Sequence, residues 1–181
     1  MRRLSHITIL IVMAMSLMVG SALAAEQKTK AMREAVYERL SRAQEATEAE
    51  DWATAFDQLG RLERMKNLAP HEKAQLYTAF GYTYFAQEKY AESAASYARV
   101  LEQEELSEAM RISTLYTLGQ LHFHLEQFDQ ALGYLDQWLE LANNPGPEPY
   151  ILKGQALYQL GRLEEAAAPV SKAIAVAESR G

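Results

Sequence analysis

Residues 114–140 read TLYTLGQLHFHLEQFDQALGYLDQWLE, and the choice between strand and helix at the centre of this stretch decides the fold of the whole chain. His122-Phe123-His124 sets two imidazoles two residues apart in a sequence with four histidines and no cysteine. On a strand, residues i and i+2 share a face and could close on one metal ion. On a helix they lie about 200° apart and cannot. The pattern around them is helical. Apolar residues recur at i, i+3, i+4 and i+7, as in Tyr77, Phe80, Gly81 and Tyr84. Ala, Leu, Glu and Gln abound while strand formers are sparse.

The same stretch has two relatives within the chain. LYTAFGYTYFAQEKYAESAASYARVLE begins at Leu76, and PYILKGQALYQLGRLEEAAAPVSKAIA begins at Pro149. Aligned on Gly81, Gly119 and Gly154, each has Tyr90, Phe128 or Leu163 nine positions on, and Ser93, Ala131 or Ala166 twelve positions on. Tyr97, Leu135 or Val170 follows at sixteen, and Val100, Trp138 or Ala173 at nineteen. A fourth, degenerate unit precedes them, with Ala43 and Ala46 at the close-packing places, Trp52 at the aromatic place and Ala55 at the small one. Breakers separate the units at Asn67 to Pro70, Leu106-Ser107 and Asn143 to Pro147, with Pro70 and Ser107 as helix starts. Pro169 lies inside the last predicted helix and is expected to kink it or reset its start.

Helical units at this spacing resemble the tetratricopeptide repeat, a helix–turn–helix unit of about 34 residues. The likeness rests on Leu115, Leu118-Gly119 and Ala131, and on Tyr150 and the inter-helix Gly161 of the last unit. It implies an all-α solenoid of about four repeats over residues 36–181, after a lead-in over 25–35. On such a scaffold His122 and His124 point to different sides. His122 takes the place of Tyr84 and Leu157, so the expectation is a buried, hydrogen-bonded imidazole and no metal site.

The resemblance also implies a concave groove lined by the first helix of each pair. The matching places carry Tyr37, Leu40 and Gln44; Thr78, Tyr82 and Phe85; Tyr116, Gln120, Phe123 and His124; Ile151, Gln155 and Tyr158. None is a lysine, arginine or asparagine, which argues against the carboxylate clamp of chaperone co-factors in this family. Rings and glutamines suit an extended or proline-containing peptide. Phe85 and Tyr158 could equally pack between neighbouring units.

The amino terminus adds a location. MRRLSH precedes the apolar run ITILIVMAMSLMVG and then SALAAEQ, with small residues at Ala22 and Ala24. This order describes a secretory signal peptide over 1–24, cleaved after Ala24, and points to the periplasm with no membrane span left after cleavage. An uncleaved anchor is the alternative. Loss of Arg2 and Arg3 takes the formal charge from −6 to −8, and so acidic a chain disfavours nucleic acid as a partner.

Catalytic constellations are missing: there is no Walker loop, G-x-S-x-G, H-E-x-x-H or Rossmann glycine pattern. Glu164-Glu165 are adjacent on a helix and do not converge. The reading is a non-catalytic scaffold that uses no cofactor and binds a protein or peptide. A signal peptide, REAVYERLSRAQEA, the repeats and then QALYQLGRLEEAAAPVSKAIAVAESRG together resemble the tetratricopeptide proteins of TonB energy-transduction clusters. That likeness implies an envelope accessory whose partner is a TonB-complex component. A scaffold for outer-membrane, cell-wall or secretion machinery is the alternative, and a metal-dependent enzyme is the reading with least support. The last helix, about Leu163 to Glu178, carries an apolar side of Ala166, Val170, Ala173 and Ile174 with no polar capping helix after it. Self-association through that edge is expected, or a chain cut short at Gly181.

Overall fold

Gly81, Gly119 and Gly154 sit where two helices cross. A Cβ at Gly81 would lie 2.7 Å from the Tyr97 ring, one at Gly119 3.0 Å from Leu135, and one at Gly154 2.7 Å from Val170. These are the residues that the alignment places sixteen positions on. The contacts join the second, third and fourth of four helical pairs in a computed structural model that describes residues 32–180. The pairs are α1 (Glu34–Glu48) with α2 (Trp52–Glu63), α3 (Pro70–Ala86) with α4 (Tyr90–Leu101), α5 (Glu108–His124) with α6 (Phe128–Leu141), and α7 (Glu148–Gln159) with α8 (Leu163–Glu178). No strand occurs among the described residues, and no described helix is long and apolar enough to cross a membrane. The expected signal peptide lies outside the described residues, as does most of the lead-in. Helix α1 opens at Glu34, just ahead of the expected boundary.

The turn inside each pair is the same device used four times. Its middle residue is left-handed at Glu50, Glu88, Glu126 and Gly161, with φ of 57°, 59°, 59° and 72°. The next amide reaches back to the carbonyl five residues earlier, at 2.8 Å from Asp51 to Ala46, 3.0 Å from Lys89 to Tyr84, 2.8 Å from Gln127 to His122 and 2.9 Å from Arg162 to Leu157. This is the closure that ends many helices on a left-handed residue. Only the fourth unit uses glycine there, which is why a glycine search of the sequence finds one turn of the four.

Connections between pairs fall at the expected breakers. Pro70 opens α3, and the Ser107 hydroxyl accepts the Met110 amide at 3.2 Å to cap α5. Pro169 does not reset α8, which runs from Leu163 to Glu178 with Pro169 buried alongside Ala166 and Ala173. One lost amide donor is outweighed by the packing of that face.

Packing then follows from the crossings. The small places Ala55, Ser93, Ala131 and Ala166 are buried, and the Ser93 hydroxyl donates to the Gly81 carbonyl at 2.8 Å. The second helix of each pair packs against the first helix of the next. Among the first helices, α1 packs on α3 and α5 on α7, while α3 and α5 meet only through α4. One core spans Val36, Leu59, Leu62, Leu76, Tyr97 and Leu118, and a smaller one holds Leu132, Ala156, Leu157 and Ala166.

An ion pair between a buried carboxylate and a half-exposed guanidinium fixes the start of the array. Glu72, with 2% of its side chain exposed, accepts from the Arg33 guanidinium at 2.6 Å, and from the Arg33 and Ala69 amides at 3.2 and 3.0 Å. It caps α3 and holds the entry to α1 in one stroke. The Arg33 hydrogen bonds dominate, and against the opposing effect of burial they pull the Glu72 carboxyl down to about 2. Its folded pKa lies below the unfolded value of 4.5. The stability it contributes is therefore complete above pH 4.5 and is lost as pH falls towards 2. Glu72→Gln should cost about 2 kcal/mol at neutral pH and flatten the acid limb of a urea-melt series between those two pH values.

The crossings predict opposite signs for two glycines. Gly81→Val, forced against the Tyr97 ring, should destabilise by about 2 kcal/mol. Gly133→Ala, where nothing lies within 4 Å, should stabilise by up to about 1 kcal/mol by helix propensity. Urea unfolding of both variants checks the pair.

Candidate interaction face

The predicted groove residues fall on shared register positions of the first helices. Leu40, Thr78, Tyr116 and Ile151 form one row across α1, α3, α5 and α7; Gln44, Tyr82, Gln120 and Gln155 form a second; Thr47, Phe85, Phe123 and Tyr158 form a third. The rows arise because 3.6-residue periodicity repeats with each unit. They carry no formal charge.

Exposure along the rows is uneven. Thr47 is buried, its hydroxyl 2.9 Å from that of Thr83 on α3. Thr78, Tyr82, Phe85, Tyr116, Gln120 and Phe123 are half-buried. Gln155 is exposed, Ile151 is 45% exposed and Tyr158 65%. The accessible parts of the face therefore lie at its two ends, at Gln44 on α1 and at Ile151, Gln155 and Tyr158 on α7.

Several of the rings are committed to the fold. Tyr116 lies 4.9 Å from the Trp138 ring of α6, centroid to centroid, and burial, reinforced by the Glu148 carboxylate, pushes its phenol above the usual value. Phe123 meets Phe128 edge-on at 5.3 Å, and Phe85 meets Tyr90 at 5.6 Å. Phe85 thus packs on a ring of its own pair rather than between neighbouring units, whereas Tyr158 stands in solvent. His124 is exposed, and its ring lies edge-on to Tyr90 of α4 at 4.1 Å, at the seam between the second and third pairs.

His122 departs from expectation. It is half-buried and not in the core, because the turn that follows brings Gln127 against it. Its Nδ1 is 2.6 Å from Gln127 Oε1, and its ring stacks on Tyr134 at 5.1 Å. The two histidines accordingly serve different contacts. Glu164 and Glu165 are both exposed, and Glu165 is paired with Arg162 at 2.6 Å.

A feature that sequence reasoning missed is a cavity of about 700 Å³ along the seam of α7 and α8. Gly154, Gln155, Tyr158 and Gln159 line it from α7, Leu163, Ala166, Ala167 and Val170 from α8, and Phe123 reaches it from α5. Val170 and Ile174 signalled an open edge in the sequence. Tyr158 and Leu163 did not, because their exposure depends on what stacks beyond them.

These placements separate structural rings from free ones. Tyr116→Ala should lower stability by about 2 kcal/mol, since it strips a half-buried ring from Trp138. Gln155→Ala should stay within about 0.5 kcal/mol. Thermal melts followed by circular dichroism distinguish them.

Comparison with known proteins agrees with this architecture. Residues 74–105 match the tetratricopeptide repeat family, and residues 93–173 match the family described as anaphase-promoting complex, cyclosome, subunit 3. No curated protein matches the chain in sequence. Among solved structures, the ArsTM double mutant of MamA RS-1 is similar over 81% of this chain and 77% of its own, at 18% identity and a TM-score of 0.64. MamA AMB-1 is similar over 79% of this chain and 92% of its own, at 17% identity and a TM-score of 0.50. With four helical pairs, a turn repeated in each and three glycine crossings in register, the chain has the all-α fold of a tetratricopeptide solenoid.

Proposed function

We propose that this protein is a non-catalytic scaffold of the bacterial envelope, exported by its amino-terminal segment, which holds an extended stretch of a partner protein along the first helices of its pairs. Tetratricopeptide arrays are in general interaction modules rather than catalysts, and the matches are all of that kind. The observation that carries the groove is the uncharged, exposed set of Ile151, Gln155 and Tyr158 continuing the half-buried Tyr116, Gln120 and Phe123 in register. Side-chain amides spaced by one repeat can hydrogen-bond a partner backbone, and the neighbouring apolar groups can cover its side chains. The partner we favour is a periplasmic segment of a TonB-system component, a choice supported by the sequence likeness alone.

Two measurements bear on this reading. The envelope-extracted protein should have the mass of residues 25–181; a mass that includes Met1 to Ala24 would mean retention as an anchor. Tagged protein should capture TonB-system components from envelope extracts in moderate salt, because apolar contacts are little screened. Ile151→Ala, Gln120→Ala and Gln155→Ala together should abolish capture and leave the helical spectrum intact. Capture that survives the triple change, or that disappears with salt, would refute the groove.

A further inference from the structure

The second helix of each later pair carries an apolar stripe at the same register. In α4 it is Tyr90, Ala94, Tyr97 and Leu101; in α6 it is Phe128, Leu132, Leu135 and Leu139; in α8 it is Leu163, Ala167, Val170 and Ile174. Helices α5 and α7 pack against the first two, and Tyr97 and Leu135 are 3% and 0% exposed. In α8, Leu163 is 60% exposed, Val170 45% and Ile174 54%. Val170 has its glycine on one side, as Tyr97 and Leu135 do, and among the described residues no helix covers the other.

The inner seams show what an occupant must supply. Tyr90 is held between Phe85 of its own pair and His124 of the next first helix. Phe128 has Phe123, and α7 brings Gln159 in the register of His124. Leu163 has Tyr158 beside it on the cavity, with the third place open. Charge adds a second requirement. Asp129 in the first turn of α6 lies 3.9 Å from Arg162, which follows α7. In α8 the register equivalent of Asp129 is Glu164, and Glu164, Ser171 and Glu178 follow one another at seven-residue steps along one border of the stripe.

A second copy of the chain answers these requirements poorly. Stacked head to tail, its first pair would bring Glu48 to the place of Gln159 and Asp51 to the place of Arg162, opposite Glu164. A two-fold pairing of α8 with itself sets one acidic border against the other. Both arrangements oppose like charges, which costs binding.

We propose that the α8 edge, with Tyr158 and the adjoining cavity, docks a basic amphipathic helix of a partner protein, laid where the first helix of a further pair would lie. This surface adjoins the groove and shares Phe123, Gln155 and Tyr158 with it, but its apolar stripe on α8 lies outside the groove. The occupant carries an apolar face, a short polar side chain that reaches between Tyr158 and Leu163, and an arginine or lysine just past its carboxyl end to meet Glu164.

The test uses as probe a fluorescent peptide with the sequence of residues 148–162, EPYILKGQALYQLGR, which in this chain covers α6 and ends in arginine. Saturable binding to the protein is expected. Val170→Glu with Ile174→Glu should weaken it by roughly tenfold or more with the helical spectrum unchanged. Glu164→Lys should weaken it about threefold, and a peptide whose last arginine is replaced by glutamate should recover affinity for that variant. Gln120→Ala with Ile151→Ala, two groove residues outside the cavity lining, should bind the peptide as the parent does, which separates this proposal from the proposed function. Absence of binding at millimolar peptide, or binding indifferent to Val170→Glu with Ile174→Glu, overturns the proposal. So does a dimer in sedimentation that Val170→Glu disperses, which would make a second copy the occupant.

Discussion

Everything in this array hangs on how closely two helices approach at their crossing. At Gly81, Gly119 and Gly154 the facing side chain occupies the space a Cβ would need. Because the gap is so small, Tyr97, Leu135 and Val170 lie flat against backbone, and the positions twelve residues past each glycine must be small as well. Ser93, Ala131 and Ala166 meet that requirement. The first pair solves the same problem with Ala43 and Ala55, both fully buried or nearly so. Helix propensity opposes the choice, since glycine inside a helix costs about 1 kcal/mol relative to alanine. The dispersion and burial gained over each crossing outweigh it.

Repetition then sets which surfaces are free. Each pair buries its second helix under the next pair, so interior exposure falls almost to zero at Tyr97 and Leu135 and rises again at Val170. The two ends of the array are consequently unlike. At the beginning, Glu72 and Arg33 clamp the chain entry to α3 through a buried carboxylate, and charged residues such as Glu38 and Arg42 occupy α1. At the other end, apolar side chains stand in water.

The face of the first helices behaves differently from either end. Its rings are divided between structure and solvent: Tyr116, Phe123 and Phe85 each lean on a ring of their own pair, whereas Tyr158 leans on none of the rings near it. Binding energy at such a surface comes from apolar cover and backbone hydrogen bonds, with no cluster of like charge to steer a ligand. Recognition there depends on the shape and sequence of a peptide more than on its net charge.

By itself the sequence determined the helices, their pairing and their crossings, because those rest on local spacing: the 3.6-residue stripe, the glycine with its partner sixteen residues on, the small residue twelve on, and Pro70 and Ser107 at helix starts. It also placed the groove positions in register. Only the tertiary structure decided which of those positions face solvent. His122 is half-buried with Gln127 and Tyr134 against it across the turn, and His124 stays exposed while its ring lies edge-on to Tyr90 of the preceding pair. Pro169 stayed within α8 because its face is buried with Ala166 and Ala173. The left-handed turns at Glu50, Glu88 and Glu126 were invisible because glutamate announces no such backbone, and it is the packed pair that holds it there. Exposure, too, is a property of what stacks next, so Tyr158 and Leu163 resemble in sequence their half-buried counterparts Phe85, Phe123, Tyr90 and Phe128 and are more exposed at the seam beyond α7 and α8.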